Sequence, residues 1–122
     1  ETLRQTTSTQ LSQAVSSSTA GEITKMMVDT VQGPGGTASP AAVPGIQVAG
    51  KTGTAQSGLT NPDGTEVPPY AWFVGFAPAQ SPKVAVCVMI QHVDRPTTEI
   101  AGGLLGGPIA KAVMEAVLNP GG

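Results

Sequence analysis

The sequence predicts an α/β domain of the α+β type, an antiparallel sheet flanked by helices. Three observations carry this. A segment at residues 20–32 has helical spacing, three β-prone segments follow in hairpin succession, and an apolar helix opened by proline comes last. The 122 residues fit one domain of ordinary size.

The elements follow in order. Residues 1–18 are rich in Thr, Ser and Gln and predict an irregular lead-in. Thr19-Ala20-Gly21-Glu22 reads as a capping box, in which Thr19 accepts an N–H three residues on and Glu22 reaches back. Ile23, Met26, Met27 and Val31 then recur at helical spacing and are expected in the core. Gly33-Pro34-Gly35-Gly36 ends the helix, and residues 33–45 form a loop.

Residues 46–56 predict a first strand, with Ile46, Val48, Thr52 and Thr54 on one parity. Residues 57–69 form a long loop around the turn signal Asn61-Pro62-Asp63-Gly64, and loops of this length are often functional. Residues 70–77 predict a second strand. It holds all four aromatics, Tyr70, Trp72, Phe73 and Phe76, on both parities, so both its faces should be covered. Residues 84–90 predict a third strand, apolar throughout. Pro108 suits the first turn of a last helix, with Ile109, Val113, Ala116 and Val117 as its buried stripe and Asn119-Pro120 as its stop. Nothing in the chain is left to pair the outer edge of the third strand, an aggregation hazard in a lone domain. Part of the fold is therefore expected to lie outside this chain, with an outside strand on that edge.

Composition excludes several function classes. Six Lys plus Arg against eight Asp plus Glu give a net charge of −2. That leaves no basic field for a polyanion, so nucleic acid is not an expected partner. The longest apolar run is seven residues, Val84 to Ile90, whereas a bilayer span needs about 20. No membrane span is expected in this segment, and no leader of the basic, apolar, small-residue kind opens it. Cys87 has no second cysteine for a disulfide, and with His92 it is too little for a zinc site. No metal or cofactor is expected. Cys87 and His92 stand five apart, on opposite faces of a continuous strand. They are expected as a core cysteine and a loop-edge histidine, not a nucleophile and base. Asp94, Arg95 and Glu99 are expected in a solvated loop, and Trp72 and Tyr70 mostly in the core, with Tyr70 a secondary candidate to face a cleft.

Gly45 to Thr52 satisfies the phosphate-loop pattern G-x-x-x-x-G-K-[ST]. That loop must follow a buried strand and open a helix, whose N-terminus holds the phosphates. Here residues 38–44 carry two prolines, and residues 53–58 have no helical character. The nucleotide reading is rejected. Lys51-Thr52-Gly53 suits a different chemistry, an edge strand lining an acyl-transfer cleft. The Lys ammonium and Thr hydroxyls offer donors to an anion, and Gly53 lets substrate backbone lie close.

The surrounding words carry a resemblance. Met26-Met27-Val28-Asp29-Thr30-Val31 precedes a Gly-rich loop and Ala38, followed by Val48-Ala49-Gly50-Lys51-Thr52-Gly53-Thr54-Ala55-Gln56. Ala71-Trp72-Phe73-Val74-Gly75-Phe76-Ala77-Pro78, the apolar run 84–90, and a Gly-Gly before Pro108 complete it. Over about residues 8–118 this resembles the C-terminal part of a class B penicillin-binding protein, a peptidoglycan D,D-transpeptidase. The Ser/Thr/Ala-rich wording looks like that of actinobacterial members.

The resemblance implies the penicillin-binding transpeptidase and serine β-lactamase-like fold, of which residues 1–122 would be the C-terminal segment. It implies a serine that attacks the penultimate D-Ala carbonyl of a peptidoglycan stem peptide, acylation by β-lactams, and a place on the extracytoplasmic face of the bacterial cytoplasmic membrane, with the anchor outside this segment. Lys51 would supply positive potential and help proton transfer to the leaving amine. One such charge at about 4 Å and an effective dielectric near 20 is worth roughly 4 kcal/mol before desolvation. Thr52 and Thr54 hydroxyls would bind the terminal carboxylate, Gly53 would give clearance, and the Thr54 N–H would be an oxyanion donor, worth about 2.7–4 kcal/mol.

Two family motifs are missing. The residues three before Lys25, Lys51, Lys83 and Lys111 are Glu22, Val48, Gln80 and Pro108, so no S-x-x-K is present. Leu59 and Val117 stand two before Asn61 and Asn119, so no S-x-N is present. The expected partner is therefore the remainder of the same transpeptidase, carrying both motifs, and this chain alone is expected to be inactive. The alternatives are a non-catalytic sensing or scaffolding module of the same shape and, within the fold, a D,D-carboxypeptidase or β-lactamase.

Overall fold

The computed structural model describes residues 7, 9–91 and 99–119. Helix α1 spans Ser17–Gln32. Its cap is Ser16, whose Oγ accepts from the Thr19 N–H at 3.2 Å. The helix thus starts three residues before the expected 20. The extended backbone of Ser16 lets its hydroxyl reach the first turn, so Thr19 donates to the cap and does not form it. At the other end the Gly33 N–H bonds to the Asp29 carbonyl at 2.9 Å.

Gln32 then fastens the helix to the chain ahead. Its Nε2 donates to the Ile46 carbonyl at 3.2 Å and its Oε1 accepts from the Val48 N–H at 3.3 Å. A side-chain amide here substitutes for a neighbouring strand's backbone. A 3₁₀ turn at Ser39–Ala41 leads to a tight turn at Gly45, whose φ of 74° is open to glycine at no steric cost. That turn pairs Val43 with Ile46 and delays the first strand, so β1 is Ala49–Ala55, three residues shorter at its start than expected.

Strands β2 (Tyr70–Ala77) and β3 (Val84–Ile90) follow, and the antiparallel order is β1-β2-β3. Thr52 lies opposite Phe73, and Phe73 opposite Val88. The expected fold class is borne out.

Helix α2 is Gly102–Leu118, so Pro108 lies inside it and not at its start. Four glycines in the first six residues give a poor local helix signal. Packing overrides it. A Cβ at Gly106 would lie 2.9 Å from the Phe73 Cβ, and one at Gly103 would lie 2.0 Å from the Thr37 carbonyl oxygen. The glycines bring helix backbone directly onto the sheet and the 3₁₀ turn. Ala110 and Met114 continue that inner face. Ile109, Val113 and Val117 lie exposed on the outer side, contrary to the expected stripe.

The core is one-sided. Val31, Val48, Phe73, Ala77, Ala110 and Met114 cluster on the α2 face. On the opposite face Val74 is 40% and Met89 46% exposed, and Cys87 is exposed as well. Cys87 is thus not the core residue expected, because strand alternation turns it away from α2. In α1 only Val31 is buried, while Ile23 is exposed and Met26 is 63% exposed. Met27 joins Val74, Phe76, Ala85 and Cys87 around a shallow apolar trough. Among the described residues no helix is long and apolar enough to cross a membrane.

Candidate active site on the first strand

β1 is an edge strand, paired only to β2 among the described strands. Its outer side therefore leaves alternate N–H and C=O groups free for an extended peptide. Lys51, Gly53 and Ala55 share one face with Val74, Trp72 and Tyr70 opposite them, and Thr52 and Thr54 share the other with Phe73 and Ala71. The lysine and the two hydroxyls thus approach the open edge from different sides.

Lys51 is exposed, and its Nζ bends back to donate to the Thr52 carbonyl at 2.5 Å. The ammonium lies along the strand edge beside Thr52, held by a neutral acceptor. Thr52 and Gly53 are half-buried and Thr54 is exposed. A Cβ at Gly53 would lie 3.2 Å from the Trp72 Cβ, tighter than ordinary contact. From behind, α2 backs the same point: a Cβ at Gly102 would lie 1.8 Å from the Trp72 carbonyl oxygen and 2.9 Å from that of Gly53.

The long loop, residues 56–69, is ordered beyond the strand end as a small hairpin. Val67 N–H bonds to the Leu59 carbonyl at 3.0 Å and Asn61 N–H to the Thr65 carbonyl at 2.8 Å, with Thr60 bridged to Glu66. Its tip is tied by Asp63, which accepts from the Thr65 hydroxyl at 2.6 Å and the Thr65 N–H at 3.0 Å. These bonds, the hydroxyl first, hold the Asp63 carboxyl below its ordinary range. A cleft of about 330 Å³ runs along the hairpin, lined by Gln56, Gly58, Leu59, Thr60, Glu66 and Val67. The sequence marked this loop by its length and turn signal. It did not reveal the cleft, which depends on the pairing of residues 59–60 with 66–67.

Other candidates separate from the strand. Tyr70 and Trp72 are half-buried, less enclosed than expected, and lie on the Lys51 side. His92, Asp94 and Arg95 lie outside the described residues. Beyond Thr52 the chain continues as strand to Ala55, which agrees with rejecting the phosphate loop. Among the described residues no group of three or more His, Cys, Asp or Glu is placed to hold a metal.

The antiparallel sheet, the K-T-G edge strand and the glycine-faced helix behind it define a chain of the penicillin-binding type. Residues 3–115 match the family model of the penicillin binding protein transpeptidase domain, and the chain belongs to that family. It is 44% identical over 107 residues to the peptidoglycan D,D-transpeptidase PbpA of Mycobacterium tuberculosis, covering 87% of this chain and 20% of that protein. It is 43% identical over 121 residues to the PbpA of Mycolicibacterium smegmatis, covering 98% of this chain and 23% of that protein. Among solved structures, the ceftriaxone acyl-enzyme complex of penicillin-binding protein A from M. tuberculosis superposes with a TM-score of 0.72 at 40% identity, covering 91% of this chain and 23% of that one. The resemblance to actinobacterial members is borne out. The chain spans about a fifth of the length of the curated relatives it matches.

Proposed function

We propose that this chain is the C-terminal segment of a peptidoglycan D,D-transpeptidase domain and forms the K-T-G wall of its acyl-transfer cleft, on the extracytoplasmic side of the membrane. The carrying observation is the edge strand itself: Lys51 bent over the Thr52 carbonyl at 2.5 Å, beside two threonines and a tightly backed glycine. Relatives named as D,D-transpeptidases and a β-lactam acyl-enzyme of a similar chain support the reading. The apolar face around Val74, Cys87 and Met89 supports it too, since it suits cover by a further segment bearing the serine.

In this reading the serine oxygen attacks the penultimate D-Ala carbonyl. The Thr54 N–H stabilises the oxyanion, and the serine's own N–H is the second donor. The serine proton passes to the leaving nitrogen, helped by the Lys51 charge, as the C–N bond breaks and terminal D-Ala departs. Thr52 and Thr54 hydroxyls hold the terminal carboxylate until then. A side-chain amine of a second stem attacks the ester, and the serine oxygen recovers a proton.

Labelling with a fluorescent penicillin tests this. The longer protein carrying the segment should form a covalent band, Lys51→Ala should reduce its rate at least roughly 100-fold, in line with losing a positioned charge in a desolvated site, and residues 1–122 alone should form none. A covalent adduct on the isolated segment, or full labelling of the Lys51 variant, would overturn the reading.

A further inference from the structure

We infer that Gln32 is a positioning residue for acyl transfer. Its side-chain amide stands in for a neighbouring strand and fixes which backbone groups of β1 face the open edge. This role rests on the transpeptidase reading above and adds to it a residue that touches neither ligand nor serine.

Within a strand the N–H and C=O of one residue point to one side, and the side alternates along the chain. The Ile46 carbonyl and the Val48 N–H point outward, to Gln32 Nε2 at 3.2 Å and Oε1 at 3.3 Å. Between them the Gln47 carbonyl points the other way and accepts from the Ala79 N–H at 2.8 Å. Bonds from opposite sides on three consecutive residues fix the rotation of the strand about its own axis. Continued along β1, the alternation turns Gly50, Thr52 and Thr54 outward and Lys51, Gly53 and Ala55 towards β2. Lys51 Nζ finds the Thr52 carbonyl on the outward side, as this requires. The Thr54 N–H, the oxyanion donor of the proposed mechanism, lies on the same side.

Little else holds the start of that edge. The chain enters β1 from residues 33–45, which are rich in Gly and Pro. Among the described strands none pairs with β1 on its outward side. Helix α1 closes it instead. Gln32 takes residues 46 and 48, and Val31 packs at Gly50, where a Cβ would lie 2.9 Å from the Val31 Cγ2. Val48, Ala49 and Gly50 are buried and Lys51 is exposed, so the open edge begins where the hold of α1 ends. Loosening that hold tilts the outward groups of the motif, and a misplacement of about 1 Å at a reacting group costs up to roughly 100-fold in rate.

The test uses the longer protein and the rate constant of penicillin acylation, measured on folded samples with the melting temperature alongside. Gln32→Met keeps the bulk and loses both hydrogen bonds, and acylation should fall roughly 10- to 100-fold. Gln32→Glu gives the sharper readout. When protonated, its carboxyl accepts from the Val48 N–H and donates to the Ile46 carbonyl, as the amide does. When ionised, it has no donor. An ordinary Glu titrates at about 4.3, and a bond to the Ile46 carbonyl favours the protonated form. Acylation of Gln32→Glu relative to wild type should therefore be low at about pH 7.5 and rise roughly three-fold or more by about pH 5. The same ratio for Gln32→Met should stay flat. Lys25, Asp29 and Lys51 are common to all three proteins, so the ratio cancels their titration. If Gln32→Met does not fold, the Gln32→Glu profile decides alone. Lower melting temperatures with wild-type acylation, or a flat Gln32→Glu profile, would overturn the positioning role. No acylation of the wild type would sink the transpeptidase reading and this role with it.

Discussion

Gly102 abuts the backbone of Trp72 so closely that a Cβ on the glycine would lie 1.8 Å from the Trp72 carbonyl oxygen. Trp72 is in register with Gly53, and the same Cβ would lie 2.9 Å from the Gly53 carbonyl oxygen. The first turn of α2 therefore sets the height of β1 at Gly53, the last residue of its K-T-G motif. Gly102→Ala should force strand or helix to move, at a cost of about 1–3 kcal/mol for overpacking. Chemical denaturation of the longer protein measures the loss, and penicillin acylation should fall with it because Gly53 and Thr54 shift. A variant with unchanged stability and unchanged acylation would show that the contact is slack.

The motif hydroxyls make a sharper prediction. Thr52→Val is nearly isosteric and replaces a donor with a methyl, on a half-buried position. A hydrogen bond to a charged group is worth about 1.5–3 kcal/mol, so acylation by carboxylate-bearing penicillins should fall roughly 10- to 100-fold. Penicillin esters, which lack the carboxylate, should lose much less. Equal losses would remove Thr52 from carboxylate binding.

Much of this was legible in the sequence because it rests on local signals. The order of helix, three strands and helix followed from spacing and turn residues, and the motif on β1 from Lys51-Thr52-Gly53 and the words around it. Three features were not legible. Gly102, Gly103, Gly106 and Gly107 hide a helix start, because their helix propensity is poor and only contact with Phe73 and Thr37 makes them favourable. The buried side of α2 was misread for the same reason, since glycines contribute nothing to an apolar stripe. Cys87 was misplaced because an apolar run carries no parity signal, and only the register with Val74 shows which face it takes.

The uncovered face should respond oppositely in the two forms of the protein. Met89 is 46% exposed and lies opposite Trp72 on the side away from α2. In the longer protein Met89→Lys should destabilise by roughly 2 kcal/mol or more, as burying an unpaired charge does. In the isolated segment the same change should raise solubility, since it interrupts an apolar surface. Thermal melts of the first and sedimentation of the second check this. A neutral effect in the longer protein would mean that nothing covers that face.

The hairpin tip should loosen in acid. Hydrogen bonds from Thr65 depress the Asp63 pKa from its ordinary 3.8. A depressed folded pKa contributes order that is fully present above the ordinary value and is lost as pH falls through the folded one. Protection of the Thr65 amide, measured against its intrinsic exchange rate, should therefore hold from neutral pH downwards and be lost only below about pH 4. Asp63→Asn should leave that protection unchanged over the same range, and loss of protection near pH 6 in the wild type would contradict the assignment.

In the proposed function the edge of β1 receives the reacting end of the ligand. The most direct measurement is a crystal structure of the longer protein acylated by a penicillin. The ligand carboxylate should lie within about 2.7–3.0 Å of the Thr52 or Thr54 hydroxyl, and the ester carbonyl oxygen should accept from the Thr54 N–H. The bond itself should be to a serine outside residues 1–122. A ligand bound covalently elsewhere, with its carboxylate away from Thr52 and Thr54, would contradict the account.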